Sequence, residues 1–160
     1  MKIFVIGDTH GSNKGIIDYI SKLENPDIIL YLGDYVEDGE KISEELGVET
    51  IIVRGNGDYF SKYKDDELIE INQKKIFLTH GHQYKVKYNL DRIIYKGEEV
   101  GADIILFGHT HIPINTKENG IYIMNPGSPA FPRGRFFEKT FGIIHINNSI
   151  SMEIINIEDK

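Results

Sequence analysis

The chain contains no cysteine. That excludes disulfides, thiolate nucleophiles and cysteine-ligated zinc together, and it agrees with a reducing cytosol. It also lacks any apolar run approaching the roughly 18 residues of a membrane-spanning helix. The opening run, residues 1–6, is too short for a signal peptide and passes straight into Gly7-Asp8. The expected location is therefore the cytoplasm, with no membrane association. Basic charge is in deficit. A formal net charge of −7 argues against general nucleic-acid binding, which rests on Lys and Arg neutralising phosphates. No repeat, low-complexity tract or linker interrupts the 160 residues, so one domain spanning 1–160 is expected. Asn147-Asn148-Ser149 matches a glycosylation sequon but, without secretion, reads as a hairpin turn.

What is present is a succession of short apolar runs. Residues 2–6 read as a buried strand. Ser12 or Asn13 can cap a following helix, in which Ile16, Ile17, Ile20 and Leu23 share one face, and Asn25-Pro26 ends it. Residues 28–32 form a second strand, 39–46 a short helix and 50–53 a third strand. This β-α-β-α-β order predicts a parallel sheet with right-handed crossovers. Residues 67–71 and 75–79 then read as a hairpin. Residues 89–101 read as a helix with Leu90, Ile93, Ile94 and Val100 inward, and 104–107 as another strand. Two hairpins close the chain, 112–116 with 121–124 across Asn119-Gly120, and 140–146 with 150–157. A parallel first half and an antiparallel tail predict an α/β fold of two sheets face to face, with helices outside. Hairpin edges near the C-terminus offer a route to a homodimer.

Five motifs each follow a strand: Gly7-Asp8-Thr9-His10, Gly33-Asp34, Gly55-Asn56-Gly57-Asp58, Thr79-His80-Gly81-His82 and Gly108-His109-Thr110-His111. Ligands of open α/β sheets collect beyond the carboxyl ends of the strands, so these loops are expected to converge. Taken singly each motif has a bland reading. Gly-Asp is a common turn, Gly-Asn-Gly-Asp could be a loop of Asx turns, and a lone His is more often a surface or core residue. If the chain is still extended at Asp8 and His10, the two point to one side. The conjunction is what counts. Asp8, His10, Asp34, Asn56, His80, His109 and His111 supply four imidazoles, two carboxylates and a carboxamide. That is too many donors for one tetrahedral ion. It suits two adjacent cations sharing a carboxylate, the arrangement of two-metal phosphoesterases.

In order and content these motifs resemble the calcineurin-like metallophosphoesterases, whose pattern is Asp-x-His, Gly-Asp, Gly-Asn-His-Asp/Glu, a lone His and Gly-His-x-His. The match runs from Asp8 to His111. With the short length and Asn125-Pro126-Gly127-Ser128, it is most similar to the small prokaryotic phosphodiesterase subfamily. The resemblance implies a four-layer αββα sandwich with mixed sheets. It implies one metal on Asp8, His10, Asp34 and His111 and a second on Asp34, Asn56, His80 and His109, with Asp34 bridging. It favours Mn²⁺, and Ni²⁺, Fe²⁺ or Zn²⁺ would also suit a donor set without thiolate. A water shared by two cations has a lowered pKa, so a bridging hydroxide is the expected nucleophile toward a small phosphate ester.

One position departs from the pattern. Gly57 stands where many members have a His that can protonate the leaving oxygen or bind phosphate, a His that small prokaryotic members also commonly lack. The loss of a general acid weighs most on poor leaving groups, so a diester is expected ahead of a monoester. Two residues are expected to assist: Asp58 by orienting His10, with a turn cap as its plain role, and His82 as either a substitute acid or a hydrogen-bond partner. Arg54, Arg133 and Arg135 read as a strand cap and two loop residues, although Arg133 and Arg135 could reach a phosphate. The alternatives are a phosphomonoesterase and a non-catalytic interaction scaffold. A eukaryotic retromer subunit resembles the same family after losing ligand positions, whereas all seven are intact here.

Overall fold

Alternation along the central strands sets the layering. The structure, a computed structural model, describes residues 1–157. In β1 (Lys2–Ile6), Ile3 and Val5 enter one core while Phe4 and Ile6 enter another, so the strand is buried on both faces. In β2 (Ile28–Tyr31), Ile28 and Leu30 join the first core, and Ile29 and Tyr31 the second. β3 (Thr50–Ile52) completes the parallel run β1-β2-β3. Helices α1 (Lys14–Ile20) and α2 (Val36–Leu46) cover its outer face through Ile16, Ile20, Val36 and Ile42.

The second sheet is built from β4 (Asp66–Ile71), β5 (Lys74–Thr79), β6 (Ile104–Leu106), β7 (Ile114–Glu118) and β8 (Ile121–Asn125), in the order β4-β5-β6-β8-β7. Its outer face packs on α3 (Asp91–Val100) through Phe77, Ile93, Ile94, Ile105 and Ile123. Its inner face contributes Ile76, Leu78, Ile104, Leu106 and Met124 to the core shared with β1 and β2. Helix, sheet, sheet, helix is the expected four-layer αββα order.

The tail corrects the simple division into a parallel half and an antiparallel half. β9 (Thr140–Ile146) and β10 (Ile150–Asn156) return to the first sheet, giving the order β10-β9-β1-β2-β3. β9 runs antiparallel to β1 from Lys2↔His145 to Val5↔Gly142. β8 lies parallel to β6 and antiparallel to β7. Both sheets are mixed, because antiparallel strands flank the parallel runs: β9 and β10 beside β1 in the first, β4 beside β5 and β7 beside β8 in the second. Asn115 on β7 donates to the Met152 carbonyl of β10 (2.9 Å), tying the two tail edges together.

The helices also differ at their starts. Neither Ser12 nor Asn13 caps α1 with its side chain; the Asn13 amide donates instead to Asp38 (2.5 Å). α2 begins three residues before the expected 39, for a reason that lies in the site. Both α2 and α3 stop at a glycine in the left-handed region, Gly47 and Gly101. Among the described residues no helix is long and apolar enough to cross a membrane.

Candidate metal centre

The carboxyl ends of β1, β2 and β3 in one sheet, and of β5 and β6 in the other, open on the same rim. The expected donors come together there in two groups. Asp8, His10 and His111 have ligand atoms within 4.8 Å of one another, as do Asp34, His80 and His109. The Asp34 carboxylate faces both. Its Oδ2 lies 3.4 Å from His10 Nε2 in the first group and 3.3 Å from His80 Nε2 in the second. Asp8 Oδ1 is 3.0 Å from His80 Nε2 and 3.7 Å from His111 Nε2. Asn56 stands apart: it is exposed on the β3–β4 loop, and its carboxamide makes no hydrogen bond with a described residue. Its neighbour Gly57 donates to Asp34 Oδ1 (3.0 Å), which puts Asn56 one residue from the second group.

The backbone leading into the site is not extended, contrary to the simplest account of Asp8 and His10. Both take positive φ, 57° and 47°. Turns, rather than strand alternation, bring the two side chains to one side. Glycine is required where the backbone nearly touches a donor: a Cβ at Gly108 would lie 2.8 Å from Asp8 Oδ2.

Buried hydrogen bonds hold each loop. Asp58 does not orient His10. Its carboxylate accepts four backbone N–H groups, from Asp34 (2.9 Å), Tyr35 (2.8 Å), Val36 (3.0 Å) and Gly55 (2.7 Å). It therefore caps α2 from outside the helix and clamps the Asp34 loop to the Gly55 loop, which explains the early start of α2. Sequence reasoning missed its counterpart, Asp38. This buried carboxylate accepts the Thr9 hydroxyl, the Gly11 N–H (2.8 Å) and the Asn13 amide, and so fixes the loop that carries His10. Only its place in the first turn of α2 could have marked it, as one of several acidic residues there. Tyr31 links the two loops, meeting Thr9 at 2.6 Å and donating to the Asp34 carbonyl (3.1 Å).

On the other side, Ser128 donates to the Asp8 carbonyl (2.8 Å), and Asn125 donates to the Gly108 carbonyl and to Thr110 (2.9 Å each). The motif at 125–128 thus braces the histidine loop. His109 N–H donates to Asp8 Oδ2 (2.8 Å). His111 Nδ1 donates to the Phe131 carbonyl (2.7 Å), which leaves its Nε2 lone pair to accept from His10 Nε2 (3.2 Å) beside Asp8. His82 Nδ1 meets His80 Nδ1 at 3.0 Å, so it is a hydrogen-bond partner of a candidate ligand. Arg54 forks onto Asp65 (2.8 and 3.3 Å), away from the donors.

Electrostatics follow from this crowding. Burial opposes charge on His80, but hydrogen bonds from it to Asp34 and Asp8 prevail and raise its pKa to about 9. Burial would raise Asp34, yet His80, the Gly57 N–H and His10 hold it far below the usual carboxylate range. Burial, the charge on His80 and Lys87 push His109 down to about 4. His111 is lowered chiefly by burial, and His82 by burial and His80. The donors, nitrogen and oxygen without sulfur, fit divalent ions of intermediate softness.

A four-layer sandwich with paired N/O donor groups at its strand ends has the build of a metal-binding phosphoesterase domain. Residues 1–149 match the calcineurin-like phosphoesterase superfamily domain, and the chain belongs to that family. It is 33% identical to the probable metallophosphoesterase YsnB of Bacillus subtilis (strain 168), over 92% of this chain and 86% of that one. It is 26% identical to phosphodiesterase YfcE of Escherichia coli (strain K12), over 84% and 82%. Among solved structures, a conserved protein of Streptococcus pneumoniae TIGR4, described as a predicted phosphoesterase, superposes with a TM-score of 0.83. It shares 27% identity, over 97% of this chain and 88% of that one.

Proposed function

We propose that the chain is a metal-dependent phosphodiesterase, acting as one cytoplasmic domain on a small phosphate ester. It would hold two divalent cations, with Mn²⁺ favoured by the family resemblance. The observation that carries the reading is Asp34 Oδ2, within 3.4 Å of His10 and 3.3 Å of His80, a single oxygen facing two separate donor groups. Asp8, His10 and His111 would serve one ion, and His80, His109 and Asn56 the other, with Asp34 shared. Bound, such a pair of cations supplies an activated water near neutral pH and offsets charge on the phosphoryl oxygens.

The chain's own residues do the rest. Asp58 and Asp38 fix the loops of Asp34 and His10. The Phe131 carbonyl selects the His111 tautomer, and His82 steadies His80. Gly57 offers no imidazole to a leaving oxygen, which favours diesters and good leaving groups. Two groups of three nitrogen and oxygen donors, braced by buried hydrogen bonds, favour catalysis over a non-catalytic scaffold.

The test is hydrolysis of bis-p-nitrophenyl phosphate beside p-nitrophenyl phosphate by chelator-stripped protein resupplied with Mn²⁺, Ni²⁺, Zn²⁺ or Mg²⁺. Metal-restored activity favouring the diester is expected, lost in Asp34→Asn and His109→Ala. Metal binding without turnover of either ester would move the scaffold reading ahead.

A further inference from the structure

Between β8 and β9 the chain makes a long irregular excursion, residues 126–139, past the open side of the donor groups. It is tied to the site three times, by Ser128 donating to the Asp8 carbonyl (2.8 Å), by the His111–Phe131 hydrogen bond and by Arg133 N–H donating to the His111 carbonyl (3.1 Å). The Phe131 ring stands edge-on to His10, 6.0 Å between centroids. Beyond that anchor the loop leaves large apolar groups in solvent. Phe131 is 49% exposed, Phe136 74%, Phe137 71% and the facing Ile112 41%. A cluster of this kind beside a reaction centre has a use for its apolar surface.

Two adjoining hollows shape that surface. One, of about 290 Å³, is lined by His10, His111, Phe131 and Arg133. The next, of about 220 Å³, lies among Ile112, Pro113, Arg133, Arg135, Phe136 and Phe137. Arg133 borders both. Its guanidinium forms no ion pair with a described residue, and Arg133 lines the first hollow together with His10 and His111. Arg135, by contrast, is already laid over the Phe136 ring, 5.6 Å from its centroid. The second hollow falls below the roughly 300 Å³ at which whole-ligand pockets begin, so it has room for one part of a ligand.

We propose that this loop is a substrate subsite, in which Arg133 forks onto a non-bridging phosphoryl oxygen while the hollow between Ile112-Pro113 and Phe136-Phe137 takes a flat aromatic arm of the diester. The ligand class is a phosphodiester with one aryl or nucleobase substituent. The inference rests on the phosphodiesterase reading and adds its specificity. Arginine suits the phosphoryl end because its planar fork matches two oxygens and keeps its charge. The phenylalanines suit the arm because exposed rings gain most from covering a flat apolar face.

The experiment uses two diesters with the same leaving group, bis-p-nitrophenyl phosphate and methyl p-nitrophenyl phosphate, on Mn²⁺-loaded protein. The Phe136→Ala/Phe137→Ala double variant should lower the bis-aryl to methyl-aryl ratio of kcat/KM about tenfold, mainly through KM. Arg133→Ala should lower kcat/KM for both diesters by a similar factor of about ten or more. Tyr95→Ala, at an exposed ring on α3, should change neither. A ratio unmoved by the double variant would overturn the proposal. If wild-type protein hydrolyses neither diester, the phosphodiesterase reading fails, and the subsite is then read from binding. Phenylphosphonate should bind the Mn²⁺-loaded protein more tightly than methylphosphonate, by calorimetry, with the difference lost in the double variant. Equal binding of the two phosphonates would overturn the subsite as well.

Discussion

Asp8, His10, Asp34, His109 and His111 all hold backbone φ values between 47° and 71°, a region that side chains with a Cβ avoid at a cost of order 1 kcal/mol each. Five such residues meet at one rim only because something else fixes them, and here it is the buried hydrogen bonds of Asp38, Asp58, Asn125 and Ser128. The same logic favours a positioning role for His82. A histidine whose Nδ1 meets His80 Nδ1 at 3.0 Å sets the ring angle of a candidate ligand. Losing such a partner typically weakens metal binding about 10–100-fold. His82→Ala should therefore raise the Mn²⁺ concentration needed for half-maximal activity by that factor. At saturating metal it should leave turnover within a few-fold and its dependence on leaving-group pKa unaltered. A loss of about 10²–10⁴-fold that persists at saturating metal, steepest for poor leaving groups, would identify a general acid instead.

Among the elements, the strands were the most legible. Residues such as Phe4, Val5, Ile29, Leu30, Ile104 and Ile105 are apolar in unbroken succession, and burial on two faces writes that signal plainly. The five donor motifs were legible for a related reason: they are runs of chemistry-bearing residues set directly after those strands. What stayed hidden was non-local. Nothing adjacent to Asp58 announces that its carboxylate serves the N-terminus of a helix more than twenty residues earlier. Nor does any local pattern send β9 to β1 rather than to the neighbouring hairpin. The α2–Asp58 connection is testable as an element. Asp58→Asn keeps the size but turns an amide toward N–H groups that a carboxylate had accepted. The amide oxygen still accepts two of the four N–H groups and the NH2 opposes the other two, so a destabilisation of about 3 kcal/mol is expected, seen as a lower urea midpoint with little change in slope. Metal affinity should fall with it, because the Asp34 backbone hangs on the same carboxylate. A variant with unchanged midpoint would show that α2 and the Asp34 loop stand without this clamp.

At the scale of the whole molecule, the raised pKa of His80 makes both stability and metal uptake depend on pH in a definite direction. His80 rises from 6.5 to about 9 on folding, so its ion pair with Asp8 and Asp34 stabilises fully below pH 6.5 and is lost as pH climbs through 9. The amount is about 3 kcal/mol, and the lowered Asp34 is the same contact seen from its other end. The carboxylate side works oppositely: its share is present above the ordinary Asp pKa and disappears as pH falls below that range. Metal-free protein should thus melt progressively earlier from pH 6.5 to 9. Metal reverses the trend. A cation on His80 must displace the proton, whereas His109, held near 4, and the lowered His111 are already neutral at pH 7. Apparent Mn²⁺ affinity should therefore tighten about tenfold per pH unit between 6.5 and 8.5, with close to one proton released per protein. Calorimetry in buffers of different ionisation enthalpy measures that proton directly. Affinity independent of pH over this interval would mean that His80 is neutral before the metal arrives, and that the repulsion between the two carboxylates is offset by something other than its charge.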